Sequence, residues 1–307
     1  MLRTKLFAAV FAAVMLSASA FAVTFTTLDN PGDPTFNQLL GINDSGVIVG
    51  YYGSGAAGHP NMSYTIPPPY SSNLYASAQL PASVQTQATA INKSGVVVGF
   101  WSPTNVGNGT DAYFGFGREA NGFTYLSINN PNVSSYPEVN QIRGINESQL
   151  VVGYYNDQNG ASHGFTYSLK TGVFTPVTLP GNTSVGVTGI SNNDEICGFA
   201  ISGTYISAFI AKTNGELLAS FGVPGSSNTQ MLGVNSQGIA VGFYLDQNNI
   251  PHGILCNVHT RSITYLDDPE GVNGTMLNGI NDSGEIVGSY IDAAGNSHGV
   301  LVTGAVG

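Results

Sequence analysis

The chain has 307 residues, with 8 basic and 18 acidic side chains and a net charge of −10. An acidic chain without clusters of Lys and Arg is poorly suited to bind nucleic acid or an anionic membrane surface. At 42 % hydrophobic residues, with 15 Tyr and 15 Phe, it is also too apolar for a disordered protein, and its 40 glycines favour short strands joined by tight turns.

The N-terminus has the pattern of a secretory signal peptide. Arg3 and Lys5 precede an uncharged run that ends in Ala20-Phe21-Ala22, where small residues stand before a cleavage site. The run is short for a membrane anchor, and no later segment is apolar enough to span a bilayer. We therefore predict a signal peptide over residues 1–22. A single secreted domain over residues 23–307, extracellular, periplasmic or at the cell surface and monomeric, would remain.

One phrase recurs six times, with 44 to 54 residues between successive starts. The copies read GINDSGVIVGYY from Gly41, AINKSGVVVGFW from Ala90, GINESQLVVGYY from Gly144, GISNNDEICGFA from Gly189, GVNSQGIAVGFY from Gly233 and GINDSGEIVGSY from Gly279. An all-β sequence with a repeat of this length indicates the blades of a β-propeller.

Each copy reads as a hairpin. An apolar strand ends at Ile42-Asn43, a polar turn with Gly46 follows, and the next strand alternates through Gly50. The Asn side chain can satisfy the turn, and a glycine inside a strand indicates that a neighbouring backbone or aromatic ring approaches closely.

Two further strands follow in each copy, which makes four per unit. The chain begins with Thr24-Phe25-Thr26-Thr27, which matches the last strand of a unit, and its end at Val300-Leu301-Val302 matches the third. Pairing the two ends would complete the sixth unit and leave no open sheet edge. We predict an all-β, six-bladed β-propeller of four-stranded blades, closed by the N-terminal strand pairing into the last blade.

The phrases GINDSG-x-IVG-x-Y and D-x-x-G-x-x-HGF, with a trailing FT-x-LD-x-PG, resemble the bacterial extracellular HAF repeat family, named for a His-Ala-Phe triplet. The resemblance runs from about Val23 to Val302. Gly replaces Ala in most triplets here, and the first two copies lack a clean triplet. The resemblance implies export and repetition and transfers no catalytic residue.

The first candidate binding group is a set of glutamines. The position three residues before the opening Gly is Gln in four of the six copies: Gln38, Gln87, Gln141 and Gln230. A ring of amides at the mouth of a propeller channel could bind a polar ligand such as a sugar. The alternative is that each Gln ties its loop to the neighbouring blade through backbone hydrogen bonds.

The second group is aromatic. The second strand of most copies ends in a pair of aromatic residues, which includes Tyr155 and Tyr244, and most of these should pack between blades. Trp101 is the single Trp and precedes an enlarged loop over residues 102–111, where function could be grafted onto the repeat.

The remaining polar exceptions point to no metal or cofactor. Asp157, Asp246 and Asp292 each open a loop that leads to a His, which favours Asx turns and structural histidines over a metal site. Arg143 occupies an inner-strand position that is uncharged elsewhere. It could meet an anionic ligand in the channel, but pairing with Glu138 or Glu147 is the preferred expectation.

The two cysteines, Cys197 and Cys256, allow three readings: buried thiols, a disulfide, or, least favoured, a reactive or metal-binding pair. Buried thiols are the simplest.

These features favour a secreted, non-catalytic recognition module that binds a glycan or another extracellular polymer on one propeller face. Its candidate ligand-binding residues are Trp101, Gln38, Gln87, Gln141, Gln230, Arg143, Tyr155 and Tyr244, with no catalytic residue, metal or cofactor. A carbohydrate-active enzyme would instead need two or three of Asp111, Glu138, Asp157, Asp246 and Asp292 to converge on one pocket. A scaffold or adhesin would need a broad apolar patch.

Overall fold

A computed structural model describes residues 22–107, 111–122 and 124–306 of the protein. Its strands form six sheets of four antiparallel strands, which follow one another as the blades of a β-propeller. The signal peptide predicted over residues 1–22 lies outside the described residues, apart from Ala22. The fold class predicted from the repeats is confirmed.

The strands of the blades are as follows. Blade 1 contains β2 (Asn37–Ile42), β3 (Ile48–Tyr52), β4 (Met62–Ile66) and β5 (Ala76–Ser77), with a 3₁₀ turn at Ser72–Leu74, and blade 2 contains β6 (Gln85–Ile91), β7 (Val97–Ser102), β8 (Phe114–Arg118) and β9 (Tyr125–Ser127). Blade 3 contains β10 (Asn140–Ile145), β11 (Leu150–Asn156), β12 (Ser162–Ser168) and β13 (Val173–Val177), and blade 4 contains β14 (Ser184–Ile190), β15 (Glu195–Ser202), β16 (Tyr205–Lys212) and β17 (Leu217–Phe221). Blade 5 contains β18 (Thr229–Val234), β19 (Ile239–Leu245), β20 (Pro251–Asn257) and β21 (Ser262–Tyr265), and blade 6 contains β22 (Thr275–Ile280), β23 (Ile286–Ile291), β24 (Ser297–Thr303) and β1 (Thr24–Thr27).

The two ends of the chain close the propeller. Strand β1 pairs antiparallel with β24, from Thr24 opposite Thr303 to Thr27 opposite Val300. The Leu28 N–H extends the seam by donating to the Gly299 carbonyl at 2.8 Å. The closure predicted from the complementary ends is therefore confirmed.

Two of the three glycines of the repeated phrase, Gly41 and Gly50, lie where backbones approach closely. A Cβ on Gly41 would lie 2.7 Å from the Thr89 carbonyl oxygen of the next blade. A Cβ on Gly50 would overlap the carbonyl oxygen of Gln38, next to the bulge that shifts the register between Leu39 and Gly41. Glycine is thus required by close backbone approach.

The asparagine of the phrase does more than satisfy its turn. Asn43 Oδ1 accepts from the Ser45 and Val47 N–H groups at 3.0 and 2.9 Å, as predicted. Its amide also donates to the neighbouring blade, and this contact recurs around the propeller. These bonds, which we call the asparagine ring, run from Asn43 to Asn92 O, Asn92 to Asn146 O, Asn146 to Ser191 O, Asn235 to Asn281 O and Asn281 to Asn43 O. Ser191 has no amide, and Asn193 makes the missing link to Ser236 O at 2.7 Å.

The hydrophobic core lies between blades. One cluster joins Val241 and Leu255 of blade 5 to Leu277 and Val300 of blade 6. Both cysteines belong to the neighbouring cluster and are free, so the simplest expectation, buried thiols, is the one that holds. Burial raises the pKa of the Cys197 thiol to about 12.

Candidate binding face

The propeller presents two different faces to a ligand. The turn face carries the asparagine ring and the turns between first and second strands. The entry face carries the loops that enter each inner strand and those that join second and third strands. This arrangement follows from the antiparallel order of strands in every blade.

The channel at the turn face is too narrow for a sugar. Its cavity measures about 90 Å³, which leaves room for a few water molecules. The Asn192 amide reaches Asp282 Oδ2 at 3.4 Å, from blade 4 to blade 6, and narrows the mouth further.

Six equivalent inner-strand residues line the channel, and Arg143 is the exception among them: Leu40, Thr89, Arg143, Thr188, Leu232 and Asn278. The two threonines and Asn278 each donate to a backbone carbonyl of the next blade, at 2.6–2.9 Å. They are tied into the scaffold and are not available to a ligand.

Arg143 has no ion-pair partner among the described residues, so the expected pairing with Glu138 or Glu147 is wrong. Its guanidinium carbon lies 6.0 Å from the centroid of the Phe100 ring, a cation–π distance. Burial raises the pKa of the Tyr51 and Tyr154 hydroxyls, and the nearby Arg143 charge partly opposes that rise. The guanidinium therefore lies beside the Phe100 ring, close enough to the Tyr51 and Tyr154 hydroxyls for its charge to act on them.

The four glutamines lie half-buried near the entry face, and each makes one side-chain hydrogen bond. Gln38 accepts from Tyr51 and Gln141 from Tyr154, whereas Gln87 donates to Asn61 and Gln230 to Asn228. All four partners are side chains, so the alternative expectation of backbone hydrogen bonds to the neighbouring blade is wrong, although the bond from Gln87 to Asn61 does join blades 2 and 1. Among the described residues, the second polar atom of each amide has no partner, and of these four glutamines Gln87 lines the cavity described next.

The entry face contains an open cavity of about 380 Å³ between blades 1 and 2. It is lined by Tyr51, Ser54, Gly55, Ala56, Asn61, Gln87, Gly107, Asp111 and Tyr113. Two enlarged loops form its rim, and Asn105 joins them by donating to Gly55 O at 2.9 Å and accepting from Gly58 N at 2.8 Å. We call this cavity the entry-face cavity.

Asp111 organises one wall of the entry-face cavity. Its carboxylate accepts from Thr104 Oγ1 at 2.6 Å and from the Val106 and Gly107 N–H groups at 3.0 and 3.1 Å. Burial opposes ionisation, but these hydrogen bonds outweigh it and lower the pKa of Asp111. The carboxylate is therefore a charged anchor of its own loop.

Tyr113 and Gln87 offer the free polar groups of this cavity. The Tyr113 ring packs edge-on against Phe100, with centroids 5.4 Å apart, and its hydroxyl has no hydrogen-bond partner among the described residues. Burial, and then the Asp111 charge, raise the pKa of Tyr113, so the hydroxyl is a neutral donor. Gln87 adds an acceptor oxygen, since its amide nitrogen is held by Asn61 at 2.6 Å.

Trp101, Tyr155 and Tyr244 do not line the entry-face cavity. Trp101 packs on Phe114 with ring centroids 5.3 Å apart, in the strand position where Tyr155 stacks on His163 and Tyr244 on His252. Trp101 therefore follows the repeat in its placement, although not in its residue type.

The aspartates that open the loops to the histidines form Asx turns, as predicted. Asp157 Oδ1, for example, accepts from the Asn159 and Ala161 N–H groups at 2.8 and 3.0 Å, and Asp157 Oδ2 bonds to His163 at 3.0 Å. The same turn recurs at Asp246 and Asp292. In the described ranges, no group of three or more His, Cys, Asp or Glu residues could hold a metal ion.

The comparisons with known proteins support the propeller fold alone. No family model matches the chain, so the resemblance to HAF repeats has no support from one. No curated protein matches its sequence either. A TolB-like protein from Agrobacterium tumefaciens superposes with a TM-score of 0.59 at 12 % identity, over 87 % of this chain and 90 % of that one. AofleA from Arthrobotrys oligospora superposes with a TM-score of 0.57 at 10 % identity, over 91 % and 86 % of the two chains.

Within the described residues, no helix has the length and hydrophobicity to cross a membrane.

Sequence reasoning missed Asn61 and Tyr113. It noticed the loop over residues 102–111 but not the equally irregular loop over residues 53–61 in the preceding blade. Two enlarged loops at the same point of adjacent repeats were the feature of the sequence that could have indicated the entry-face cavity.

Proposed function

We propose that the protein is a secreted or cell-surface recognition module that binds a glycan without transforming it. The observation that carries the proposal is the entry-face cavity. Its volume of about 380 Å³ falls within the range of small-molecule sites.

The chemistry of the lining suits a sugar. Tyr51 and Tyr113 supply aromatic surface, while the Tyr113 hydroxyl and the Gln87 carbonyl oxygen supply one donor and one acceptor. Asn61 holds the Gln87 amide nitrogen at 2.6 Å, and Asp111 anchors the loop that forms one wall of the cavity. A preorganised site loses little entropy when it binds.

A carbohydrate-active enzyme finds less support in this cavity. Glycoside hydrolysis generally requires two carboxyl groups across the bond that breaks. Among the described residues, Asp111 is the one carboxylate that lines the cavity, and three hydrogen bonds already occupy it.

A glycan array with the purified protein tests the proposal. We expect binding to at least one neutral glycan, and we expect Tyr113→Phe and Gln87→Leu each to weaken it by about tenfold, the usual effect of losing one or two hydrogen bonds. Tyr205→Phe is the matched control, since Tyr205 is 63 % exposed on blade 4, away from the cavity.

Absence of binding to any glycan would contradict the function, and binding that is indifferent to Tyr113 and Gln87 would contradict the site. Trp101→Ala belongs in the same array because Trp101 is a candidate contact from the sequence that lies outside the entry-face cavity. Loss of binding in that variant alone would move the site to the Trp101 side of blade 2.

Export is a separate part of the proposal and rests on the signal-like N-terminus. Expression of the full chain in a bacterial host should deposit it outside the cytoplasm with Val23 as its first residue. Recovery of uncleaved chain in the cytoplasm would contradict it.

A further inference from the structure

An equivalent position in the six blades lies beside the third strand and carries a side chain in five of them. It lies two residues before the proline of each loop that follows a fourth strand: Asp29, Gln79, Asn129, Thr178, Gly222 and Asp267. In four blades its side-chain oxygen accepts a backbone N–H of the third strand, from Gly299, Ser63, Gly115 and Gly253, at 2.8–3.2 Å. The position therefore carries a built-in acceptor, except in blades 3 and 4.

Blades 5 and 6 add a histidine to this contact. The second carboxylate oxygen of Asp267 lies 2.8 Å from His252 Nδ1, and that of Asp29 lies 2.7 Å from His298 Nδ1. Each carboxylate thus bridges a glycine N–H and an imidazole nitrogen. The other imidazole nitrogen faces the aspartate of the Asx turn.

Blade 3 keeps the histidine and lacks the carboxylate. His163 stacks on Tyr155, as its counterparts stack on Tyr244 and Tyr290. It bonds to Asp157 through Nε2 at 3.0 Å, where the corresponding distance is 3.9 Å in blade 5 and 3.3 Å in blade 6. The residue in the place of Asp267 is Thr178, and the described residues provide no partner for His163 Nδ1. The His163 side chain is also 40 % exposed, against 30 % for His252 and 17 % for His298.

A cavity of about 140 Å³ lies at this point, and we call it the blade 3 pocket. His163, Gly164 and Thr178 form one side, and Tyr155, Phe174 and Asn130 contribute to the rest. Asn130 Oδ1 is held by the Asn132 N–H at 3.0 Å, whereas the Asn130 amide nitrogen has no partner in the described part of the chain.

We propose that the blade 3 pocket binds the carboxylate-bearing end of a hexuronic acid, with the rest of the sugar extending out of the pocket. The carboxylate takes the place that Asp267 and Asp29 occupy in blades 5 and 6. The Asp157 carboxylate can only accept, so His163 Nε2 donates to it, and a ligand oxygen that accepts from Nδ1 binds the imidazole in its doubly protonated form, the second proton coming from solvent. The ligand carboxylate then takes part in the same Asp–His–carboxylate arrangement that the protein builds internally in blades 5 and 6. A charge-assisted hydrogen bond of this kind is stronger than a neutral one.

The rest of the pocket favours a sugar acid over a bare carboxylate. Phe174 and the part of the Tyr155 ring that His163 and Phe165 do not cover line the pocket with apolar surface for the C–H groups of a pyranose, and the Asn130 amide offers a donor to a hydroxyl. This site is distinct from the entry-face cavity and does not depend on it, since none of these residues lines that cavity.

Isothermal titration calorimetry with glucuronate tests the proposal, with glucose as the neutral probe of the same shape and acetate as the bare carboxylate. We expect glucuronate to bind at one site per chain, and glucose and acetate to bind at least tenfold more weakly. Binding of acetate as tightly as glucuronate would overturn the assignment to a sugar acid. Absence of glucuronate binding would overturn the site.

Two substitutions of Thr178 separate the pocket from the rest of the molecule. Thr178→Asp should rebuild the internal bridge seen at Asp267 and weaken glucuronate at least tenfold, whereas Thr178→Val, which lacks a carboxylate, should change the affinity less than twofold. Unchanged glucuronate binding by Thr178→Asp would overturn the proposal and leave neutral-glycan binding at the entry-face cavity untouched.

The reciprocal variant is Asp267→Thr, which removes the built-in carboxylate beside His252. Blade 5 has Val223 and Ile263 where blade 3 has Asn130 and Phe174, so the variant should still bind one glucuronate per chain. In NMR spectra of the histidine side chains, glucuronate should move the ¹⁵N resonances of His163 in both proteins. Movement of His252 in the wild type, or none at His163, would contradict the assignment.

Discussion

Replacing Asn235 with alanine isolates one link of the asparagine ring. Asn235 is 2 % exposed; its Oδ1 accepts from the Gln237 and Ile239 N–H groups at 3.2 and 2.9 Å, and its Nδ2 donates to Asn281 O at 3.1 Å. Each buried hydrogen bond contributes about 1 kcal/mol net, so Asn235→Ala should lower the free energy of unfolding by about 3 kcal/mol. Urea denaturation followed by Trp101 fluorescence measures this change.

Asn235→Ser separates the turn from the contact between blades. Ser191 shows how serine behaves at this position: its Oγ accepts from the Asn193 and Glu195 N–H groups at 3.3 and 3.2 Å and reaches no neighbouring blade. Asn235→Ser should therefore keep the turn bonds and cost only about 1 kcal/mol, the value of the lost link. Equal losses for serine and alanine, or an alanine loss below about 1 kcal/mol, would refute the reasoning.

Three further outcomes follow from the scaffold. Gly153→Ala should lower the free energy of unfolding by about 3 kcal/mol, because the new Cβ would overlap a backbone carbonyl, whereas Gly222→Ala, with no atom within 4 Å, should be neutral in the same urea assay. Burial opposes protonation of His298, but its two flanking carboxylates outweigh this and raise its pKa above 6.5. The stabilisation that results from this raised pKa is complete below pH 6.5 and is lost as the pH rises through the folded-state pKa. The free energy of unfolding, measured from pH 6 to 9, should therefore fall in the wild type and change less in His298→Gln. Cys197 should resist a thiol reagent until the protein unfolds, since its thiol is buried with a pKa of about 12, and reaction in the native state would contradict this burial.

The fold could be predicted from the sequence because each blade repeats the same local pattern of residues. Gly46 indicates a hairpin turn, and Gly50 indicates a close backbone contact. The pairing of the first strand with β24 follows from the complementary ends of the chain. The link from Asn43 to the next blade was not readable, because an Asn in a turn already has a local explanation. A hydrogen bond between residues about fifty positions apart cannot be predicted from the local sequence pattern around either residue.

The candidate site was only partly readable for the same reason. Gln87 stood out as a polar exception in the repeat, but its partner Asn61 lies in another blade and obeys no repeat rule. Arg143 was noticed, yet its surroundings depend on where Phe100 places its ring across a blade boundary. A charge can be found in a sequence, whereas its neighbours are set by packing.

The seam between β1 and β24 also has a kinetic consequence. Five blades are built from neighbouring hairpins, whose contacts form at short sequence separation, but the Thr24–Thr303 pair joins the two ends of the described chain. A contact between residues so far apart in the sequence slows folding, because the chain loses the entropy of loop closure before the contact stabilises it. We expect the first five blades to fold as a growing array and blade 6 to form last. A circular permutant that joins residues 303 and 24 and opens between blades 3 and 4 would move the slow step to that new seam.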